Sequence, residues 1–435
     1  MKYELHKARM EEQLPKIERL FDSCVTDPPY GFKFMGKKWD YDVPSVEQFK
    51  LIYDKLKPGG YMLAFGGSRT FHRMAVNIED AGFEIRDTVM WLYGQGFPKS
   101  LNISKAIDNS KGLEREVIGE KDLWGHNAGS GAGSFSKNEF EGQVGIKRTE
   151  PITAPASDLA KEWDGWGTAL KPAYEPIIVA RKPLDGTVAQ NIETHGTGGI
   201  NIDGCRVPLD GDYKSKSNGR PSLTGLGDLY NPETANTQDT EGRFPANIMH
   251  DGSDDVVSLF PEQKSGAMKK AYEYTNTGTS LGNPSGQTKQ IHEANHGSAS
   301  RFFYCAKTSR KDRNEGLNDF PDVRGGMISN TSGQHLTRRE ENYNPEPVKN
   351  NHPTVKPTEL MQWCVRLVNK PGAWCLDAFC GSGSTGKACA YEGVNFVGID
   401  QDDVSIAKGR IEFAIKDAGL NVPKDKPQPQ IEIFQ

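Results

Sequence analysis

From Asp22 to Tyr93 the chain alternates short apolar runs with amphipathic stretches: Cys24-Val25-Thr26, then Val46 to Leu56, Tyr61 to Phe65, Phe71 to Ala81 and Phe83 to Leu92. Strand, helix, strand, helix, strand is the economical reading, and it predicts a parallel α/β sheet. Pro58-Gly59-Gly60 and Ala81-Gly82 fall where the helices should end. The same grammar returns near the C-terminus. A helix from about Thr358 to Leu367 precedes a strand at Trp374 to Ala378; a helix from about Ser384 to Ala390, a strand at Asn395 to Ile399 and a helix from about Asp403 to Ile415 follow. One sheet is therefore expected to draw strands from both ends of the chain.

The middle has a different character. Gly94 to Ala160 is rich in Gly, Ser and Lys around Gly129-Ser130-Gly131-Ala132-Gly133-Ser134, and reads as a mobile insertion. Glu175 to Lys182 is a predicted strand returning to the sheet. From about Asp185 to Asn350 the chain is polar and turn-rich, with short apolar islands at Phe244 to Met249 and Arg301 to Ala306. This region is a second module or a large elaboration of the first. The divisions expected are 1–184 (with the insertion 94–160), 185–350 and 351–435.

Composition sharpens this picture. The 435 residues allow two domains, while 35% hydrophobic content with 47 glycines and 26 prolines points to a packed core carrying long irregular insertions. A net charge of −5 gives no global attraction to nucleic acid, so DNA contact would need a local basic surface. The seven cysteines form no Cys-x-x-Cys pair, and no His/Cys cluster has zinc-ligand spacing, so reduced thiols and no metal are expected. Met1 to Arg19 is highly charged and unlike a signal peptide, and no apolar run approaches the ~20 residues needed to cross a bilayer. These features predict a soluble, cytoplasmic protein without a membrane partner.

Two motifs carry chemistry. Leu376 to Gly386 contains Phe379-x-Gly-x-Gly-x-x-Gly between a predicted strand and a predicted helix, where glycines let backbone approach a cofactor closely. Asp400 closes the next strand, where a carboxylate can accept from both ribose hydroxyls. The spacing of Gly381, Gly383 and Gly386 also fits a dinucleotide fold, or a structural turn. His352-Pro353-Thr354-Val355-Lys356-Pro357 precedes the loop and by itself is an ordinary helix start. Far upstream, Thr26-Asp27-Pro28-Pro29-Tyr30 follows an apolar strand. Two prolines stiffen this backbone and fix its carbonyls, Asp27 offers a carboxylate, and Tyr30 offers an aromatic face. As a bare string it could also be a turn.

Together these motifs resemble the β-class DNA amino-methyltransferases, in which the catalytic block comes first, a target-recognition region lies between, and the cofactor block comes last. Phage and prophage members look closest, through Asp27 to Asp40 (DPPYGFKFMGKKWD), Leu63 to His72 (LAFGGSRTFH) and Trp163 to Lys182 (WDGWGTALKPAYEPIIVARK). The likeness covers roughly residues 20 to 110, 160 to 183 and 350 to 418 and leaves the middle uncovered. It implies an α/β Rossmann-like methyltransferase with a mixed, mostly parallel seven-stranded sheet and a large loop-rich insertion. It also implies S-adenosylmethionine as cofactor, held by Lys356, Asp377, Phe379, Gly381, Gly383, Ser384 and Asp400, with Lys356 facing the methionine end.

The resemblance makes Asp27, Pro28, Pro29 and Tyr30 catalytic. An exocyclic amine is a poor nucleophile because its lone pair is delocalised into the ring. Asp27 and the Pro28 carbonyl would accept its hydrogens, Tyr30 would stack on a flipped base, and the methyl would pass directly to nitrogen. Asp at the first position accompanies adenine N6 methylation more often than cytosine N4. The expected substrate is double-stranded DNA; cytosine N4, an RNA or protein amide, and a non-catalytic DNA-binding protein stay open as alternatives. Phe32, Phe34, Lys37, Lys38 and Trp39 could line the base pocket, or be core and solvated surface. Gly66 to Thr70 could border cofactor or base, and Lys171-Pro172-x-x-Glu175-Pro176 is either an element near the base or a structural hairpin. Arg301 to Arg313 is the densest aromatic and basic stretch, making Arg310, Lys311 and Arg313 candidate phosphate contacts beside Lys37 and Lys38. Dimerisation is common in the family, but no apolar surface can be assigned to it, and nothing resembles a nuclease motif.

Overall fold

A computed structural model describes residues 1–32, 40–94, 96, 100–122, 149–208, 215–216, 239–240, 242–265, 295–306, 310–322, 349–350, 352 and 355–420. Nine strands among them form one sheet: β1 Tyr3–Lys7, β2 Phe21–Thr26, β3 Leu56–Phe65, β4 Glu84–Leu92, β5 Tyr174–Arg181, β6 Ile248–His250, β7 Tyr304–Cys305, β8 Trp374–Asp377 and β9 Asn395–Asp400. Their spatial order is β1-β9-β8-β2-β3-β5-β4-β6-β7. Only β5 runs antiparallel to its neighbours, β3 and β4. The sheet is thus mixed and mostly parallel, as expected, but has nine strands in place of seven. The additional β6 and β7 come from the two apolar islands of the central region, which extend the sheet edge beside β4.

The strands drawn from the two chain ends meet in the middle of the sheet, where Ser23 and Cys24 of β2 pair with Cys375 and Leu376 of β8. Both faces are covered, as parallel strands require. On β3, Tyr61, Leu63 and Phe65 enter one core while Met62 and Ala64 enter the other. Helix α1, Val46–Lys55, buries Phe49 and Ile52 and starts at a reciprocal capping box between Ser45 and Gln48. Helix α2, Phe71–Asp80, buries Met74 and Ile78 in the same core. The opposite face receives α6, Thr358–Val368, and the small-residue helix α7, Ser384–Tyr391, which packs with α8, Ser405–Asp417. All seven cysteines are free thiols, and only Cys305 is less than fully buried.

Two expectations are corrected. β1 lies within the segment read only as charged; it pairs with β9, and Tyr3 and Leu5 pack on the core from a half-exposed edge. Part of the 94–160 insertion is regular: α3, Ile103–Ser110, stands beside an antiparallel pair at Val117–Asp122 and Thr149–Thr153. Buried Asp108 accepts from Arg115 and from Ala156, Ser157 and its hydroxyl, tying these pieces together. Gly129 to Ser134 lies outside the described residues.

The central region also reaches back to the cofactor block. Helix α5, Arg310–Asn314, places Asp312 against buried Lys387 of α7 and Arg410 of α8. The same carboxylate accepts from the Thr358 N–H at 2.8 Å and the Thr358 hydroxyl at the start of α6. Glu315 adds a second anion to Lys387 at 2.7 Å. Gly316, at φ +81, approaches Gly409 so closely that a Cβ would lie 2.4 Å from the Gly409 carbonyl oxygen, so this contact admits only glycine. Asp312→Ala would take its carboxylate from buried Arg410 and leave Lys387 with Glu315 alone. We expect it to cost about 3–5 kcal/mol in urea denaturation; a loss below about 1 kcal/mol would mean the clasp is not stabilising.

Candidate active site and cofactor loop

β2 connects onward to β3 on one side, and β8 connects to β9 on the other. The crevice beyond their C-terminal ends is therefore a topological switch point, where open α/β sheets bind ligands. Asp27 to Tyr30 leaves β2 into this crevice, and Ala378 to Gly383 leaves β8 beside it.

Asp377 joins the two. Its Oδ1 accepts from the Thr26 hydroxyl at 2.6 Å and the Phe379 N–H at 3.1 Å, and its Oδ2 accepts from the Thr385 hydroxyl at 2.6 Å. Burial pushes the carboxyl up to about 6 despite those three donors. Both oxygens are taken by protein donors, so Asp377 supports the loop from beneath. Gly381 and Gly383 sit at φ +49 and +75, which L side chains rarely adopt. A Cβ on Gly381 would come within 2.9 Å of the His352 ring, and one on Gly383 within 2.7 Å of Ala407. Asp400 accepts from the Gly381 N–H at 2.7 Å and the Asp402 N–H at 2.8 Å, setting its carboxylate at the loop's edge. Ser384 is buried, and its hydroxyl is held at 3.0 Å by Arg410, which also binds the Ser382 carbonyl.

The tetrapeptide is equally constrained. Buried Asp40 accepts the N–H groups of Tyr30, Gly31 and Phe32 at 2.8, 2.9 and 3.2 Å, and the Thr70 hydroxyl donates to the Tyr30 carbonyl at 2.6 Å. Phe32 meets Tyr30 edge-on and lies against Gly67, where a Cβ would be 2.1 Å from the ring; Arg69 covers that ring at 4.8 Å. Gly66 to Thr70 thus buttresses the Asp27–Phe32 loop.

At the centre, Lys356 lies 2.8 Å from Asp27, 3.1 Å from Glu175 and 3.1 Å from the Tyr30 hydroxyl. Tyr30 donates to Asp27 at 2.7 Å and also lies 3.3 Å from Glu175. Burial alone would lower the Lys356 ammonium, but Asp27 and Glu175 outweigh it and hold its pKa above the usual value. Burial first, then the two carboxylates, pushes the Tyr30 phenol well up, so it stays a neutral donor. Phe65 and Tyr93 lie around the same cluster.

The fold brings Asp27, Tyr30 and Lys356 together with the Phe379–Ser384 loop and Asp400, although 329 positions separate Lys356 from Asp27. The DNA candidates fare differently. Lys37 and Lys38, with Phe34 and Trp39, lie outside the described residues, as does the Arg310 side chain. Lys311 is exposed. Arg313 is a correction: it turns inward and donates to the carbonyls of His352 at 2.6 Å and Asn350 at 3.2 Å, so it secures the segment before Lys356 and is not available to phosphate. Sequence reading gave no role to Asp40, Asp312 or the Glu175–Lys356 pair. Asp40 appeared only as the end of a quoted motif run, and Glu175 only within the Lys171–Pro176 stretch, without its partner Lys356.

The sequence profile of the DNA methylase family, N6/N4 type, matches residues 21–408. The chain belongs to this family. Curated relatives match over shorter stretches. The Type II methyltransferase M.Cfr9I of Citrobacter freundii is 38% identical over 84 residues, 19% of this chain and 28% of the relative. M2.LlaDCHI of Lactococcus lactis subsp. cremoris is 28% identical over 120 residues, 26% of this chain and 42% of the relative. The chain thus spans less than half the length of the relatives it matches. Among solved structures, the M1.HpyAVI–SAM complex aligns over 94% of this chain and 98% of that one at 14% identity and TM-score 0.37. The cytosine-N4-specific PvuII DNA methyltransferase aligns over 96% and 91% at 12% identity and TM-score 0.38.

The family's methyl donor is S-adenosylmethionine. The residues present fit it: Gly381 and Gly383 put no Cβ on the loop at positive φ, and each Asp400 oxygen, with one described N–H donor, keeps a lone pair for a further donor. Asp377 gives a test of the loop's foundation. Its folded pKa lies above the ordinary carboxylate value, so its contribution to stability is full below about pH 4 and is lost as pH rises through about 6. Relative to wild type, Asp377→Asn should therefore gain about 1.4 kcal/mol on going from pH 5 to pH 8, the part of the shift that lies above pH 5. A difference in urea stability that does not change with pH would refute the raised pKa.

Proposed function

We propose that this protein methylates adenine N6 in double-stranded DNA, taking the methyl from S-adenosylmethionine after flipping the base into the Asp27–Tyr30 crevice. The supporting observation is the Asp27–Tyr30–Lys356–Glu175 cluster at the ends of β2 and β5, one hydrogen bond away from the cofactor loop through Thr26 and Asp377.

The bound cofactor supplies an electrophilic methyl on a sulfonium. The chain must make the base amine nucleophilic and aim it. Asp27 keeps acceptor capacity for an amine N–H, since a carboxylate offers about four lone-pair sites and the described donors to it are Tyr30 and Lys356. The Pro28 carbonyl, held between two prolines, accepts the second N–H. Drawing both hydrogens aside localises the nitrogen lone pair for attack. Asp40 and Thr70 fix the loop, which holds the acceptors in register and spares reorganisation during transfer. Tyr30 and Phe32 give the base an aromatic wall.

The central region, 185–350, is the proposed recognition region, reading either a short site or very little sequence. Phe302 is exposed and flanked by Arg243 and Arg301 at 5.0 and 5.2 Å from its ring, a mixture suited to phosphate contact and duplex wedging. Lys311 remains a candidate phosphate contact. Lys311→Ala should reduce the slope of log affinity against log salt by about 0.9; an unchanged slope would remove it from the interface.

The deciding experiment incubates the protein with unmethylated duplex DNA and methyl-labelled S-adenosylmethionine, then digests the product to nucleosides for mass spectrometry. Label in N6-methyldeoxyadenosine is expected. Label in N4-methyldeoxycytidine would keep the mechanism and overturn the target, and no label would refute DNA methylation. At saturating cofactor, Asp27→Asn should lower the single-turnover rate at least about 10²-fold; full activity would refute the role of Asp27.

A further inference from the structure

Asp27, Glu175 and Lys356 do not cancel. In their ordinary ionic forms, two carboxylates share one ammonium, at 2.8 and 3.1 Å, and Tyr30 adds a neutral hydroxyl. Lys356 is 6% exposed, and the Asp27 and Glu175 side chains are 19% and 21% exposed, so solvent screens this imbalance weakly. A lysine paired with Asp27 alone would neutralise the group expected to accept the amine. Glu175 restores that charge.

We infer that Glu175 is a charge-setting positioning residue: it draws Lys356 away from exclusive pairing with Asp27 and leaves the crevice net negative, matched to a cationic methyl donor and to the positive charge that moves to nitrogen. The inference rests on the proposed role of Asp27. Glu175 is well placed for this because it is the second residue of β5, the one antiparallel strand of the nine-stranded sheet, where Trp91 of β4 pairs opposite it and fixes its position. Its charge therefore arrives from a different chain segment than Asp27 or Lys356. The positive sulfonium benefits from the excess anion both on binding and, as its charge passes to the amine, in the transition state. The neutral product, S-adenosylhomocysteine, gains nothing from it. Glu175 thus favours binding of donor over spent cofactor.

Charge and shape can be separated by calorimetry on the full chain, with S-adenosylmethionine and S-adenosylhomocysteine titrated separately into wild type, Glu175→Gln and Glu175→Asp. Glu175→Gln is expected to lower the donor-to-product affinity ratio about tenfold, equivalent to about 1.4 kcal/mol, while S-adenosylhomocysteine affinity changes less than about twofold. Glu175→Asp should restore most of the ratio. Equal weakening of both ligands would mean a merely structural role and would overturn the inference, as would an unchanged ratio. This readout needs no nucleic acid. A protein that discriminates donor from product through Glu175 yet leaves adenine unmethylated would sink the proposed substrate and not this assignment; loss of rate in Asp27→Asn with an unaltered ratio in Glu175→Gln would do the reverse.

Discussion

The structure depends on the pairing of β2 with β8, which joins the first tenth of the chain to its last fifth through two residue pairs and a buried carboxylate. Without that contact the tetrapeptide and the glycine-rich loop would stand at the ends of separate pieces. Each doubling of an intervening loop adds only about 0.6 kcal/mol to the entropy of closing it. A long central region is therefore tolerable once the two strands recognise each other through buried apolar faces. Asp377 then makes the junction specific: Thr26 comes from one strand end and Thr385 from the helix after the other, and both must arrive to satisfy its oxygens. A buried polar group of this kind costs stability if half satisfied, so it penalises misaligned pairings of the same strands.

From this junction the site is built outward by backbone restraint. Asp40 gathers the three consecutive amides of Tyr30 to Phe32, Gly67 leaves room for the Phe32 ring, and Arg410 holds the glycine-rich loop through the Ser382 carbonyl. None of these groups needs to touch a substrate. They hold the reacting geometry before any ligand arrives. The α5 clasp extends the same restraint into the central region: Asp312 touches the start of α6 and the cations beneath the cofactor loop, while Arg313 grips the segment leading to Lys356. Any movement of the central region on nucleic acid would thus be felt at both halves of the site.

Much of this was legible in the sequence, for physical reasons. Strands buried on both faces read as continuous apolar runs, so β2, β3, β5, β8 and β9 stood out; half-exposed β4 was read from its Phe83 to Leu92 stretch, and the helices between showed amphipathic spacing. The glycine loop was visible because close approaches demand particular residues, whereas Tyr30 and Lys356 stood out through the family resemblance. What escaped was whatever takes its meaning from a distant partner. β1 is a half-exposed edge strand whose Tyr-Glu-Leu-His-Lys run carries little hydrophobic signal, and β6 and β7 are too short for a period to show. Arg313 looked like a phosphate contact because neighbouring charges are visible and the carbonyls it serves, 37 and 39 positions away, are not. Two carboxylates 148 positions apart likewise gave no hint that they would divide one lysine.

That division would give the proposed catalytic residues their chemistry. An isolated Asp–Lys pair buried at a strand end tends toward a closed, neutral unit whose desolvation is repaid only by mutual contact. Such a unit would resist giving up a carboxylate lone pair to an incoming amine. A second anion changes the balance, since Lys356 can shift its weight toward Glu175 as Asp27 takes a new donor, without stranding any charge. Tyr30 follows the same logic: a phenol held neutral by burial and by both carboxylates can turn its proton from one to the other. The cluster is a set of exchangeable hydrogen bonds around a fixed excess of one negative charge. Methyl transfer moves one positive charge across a few ångströms, and a site that already holds the opposite charge has little left to rearrange when it happens.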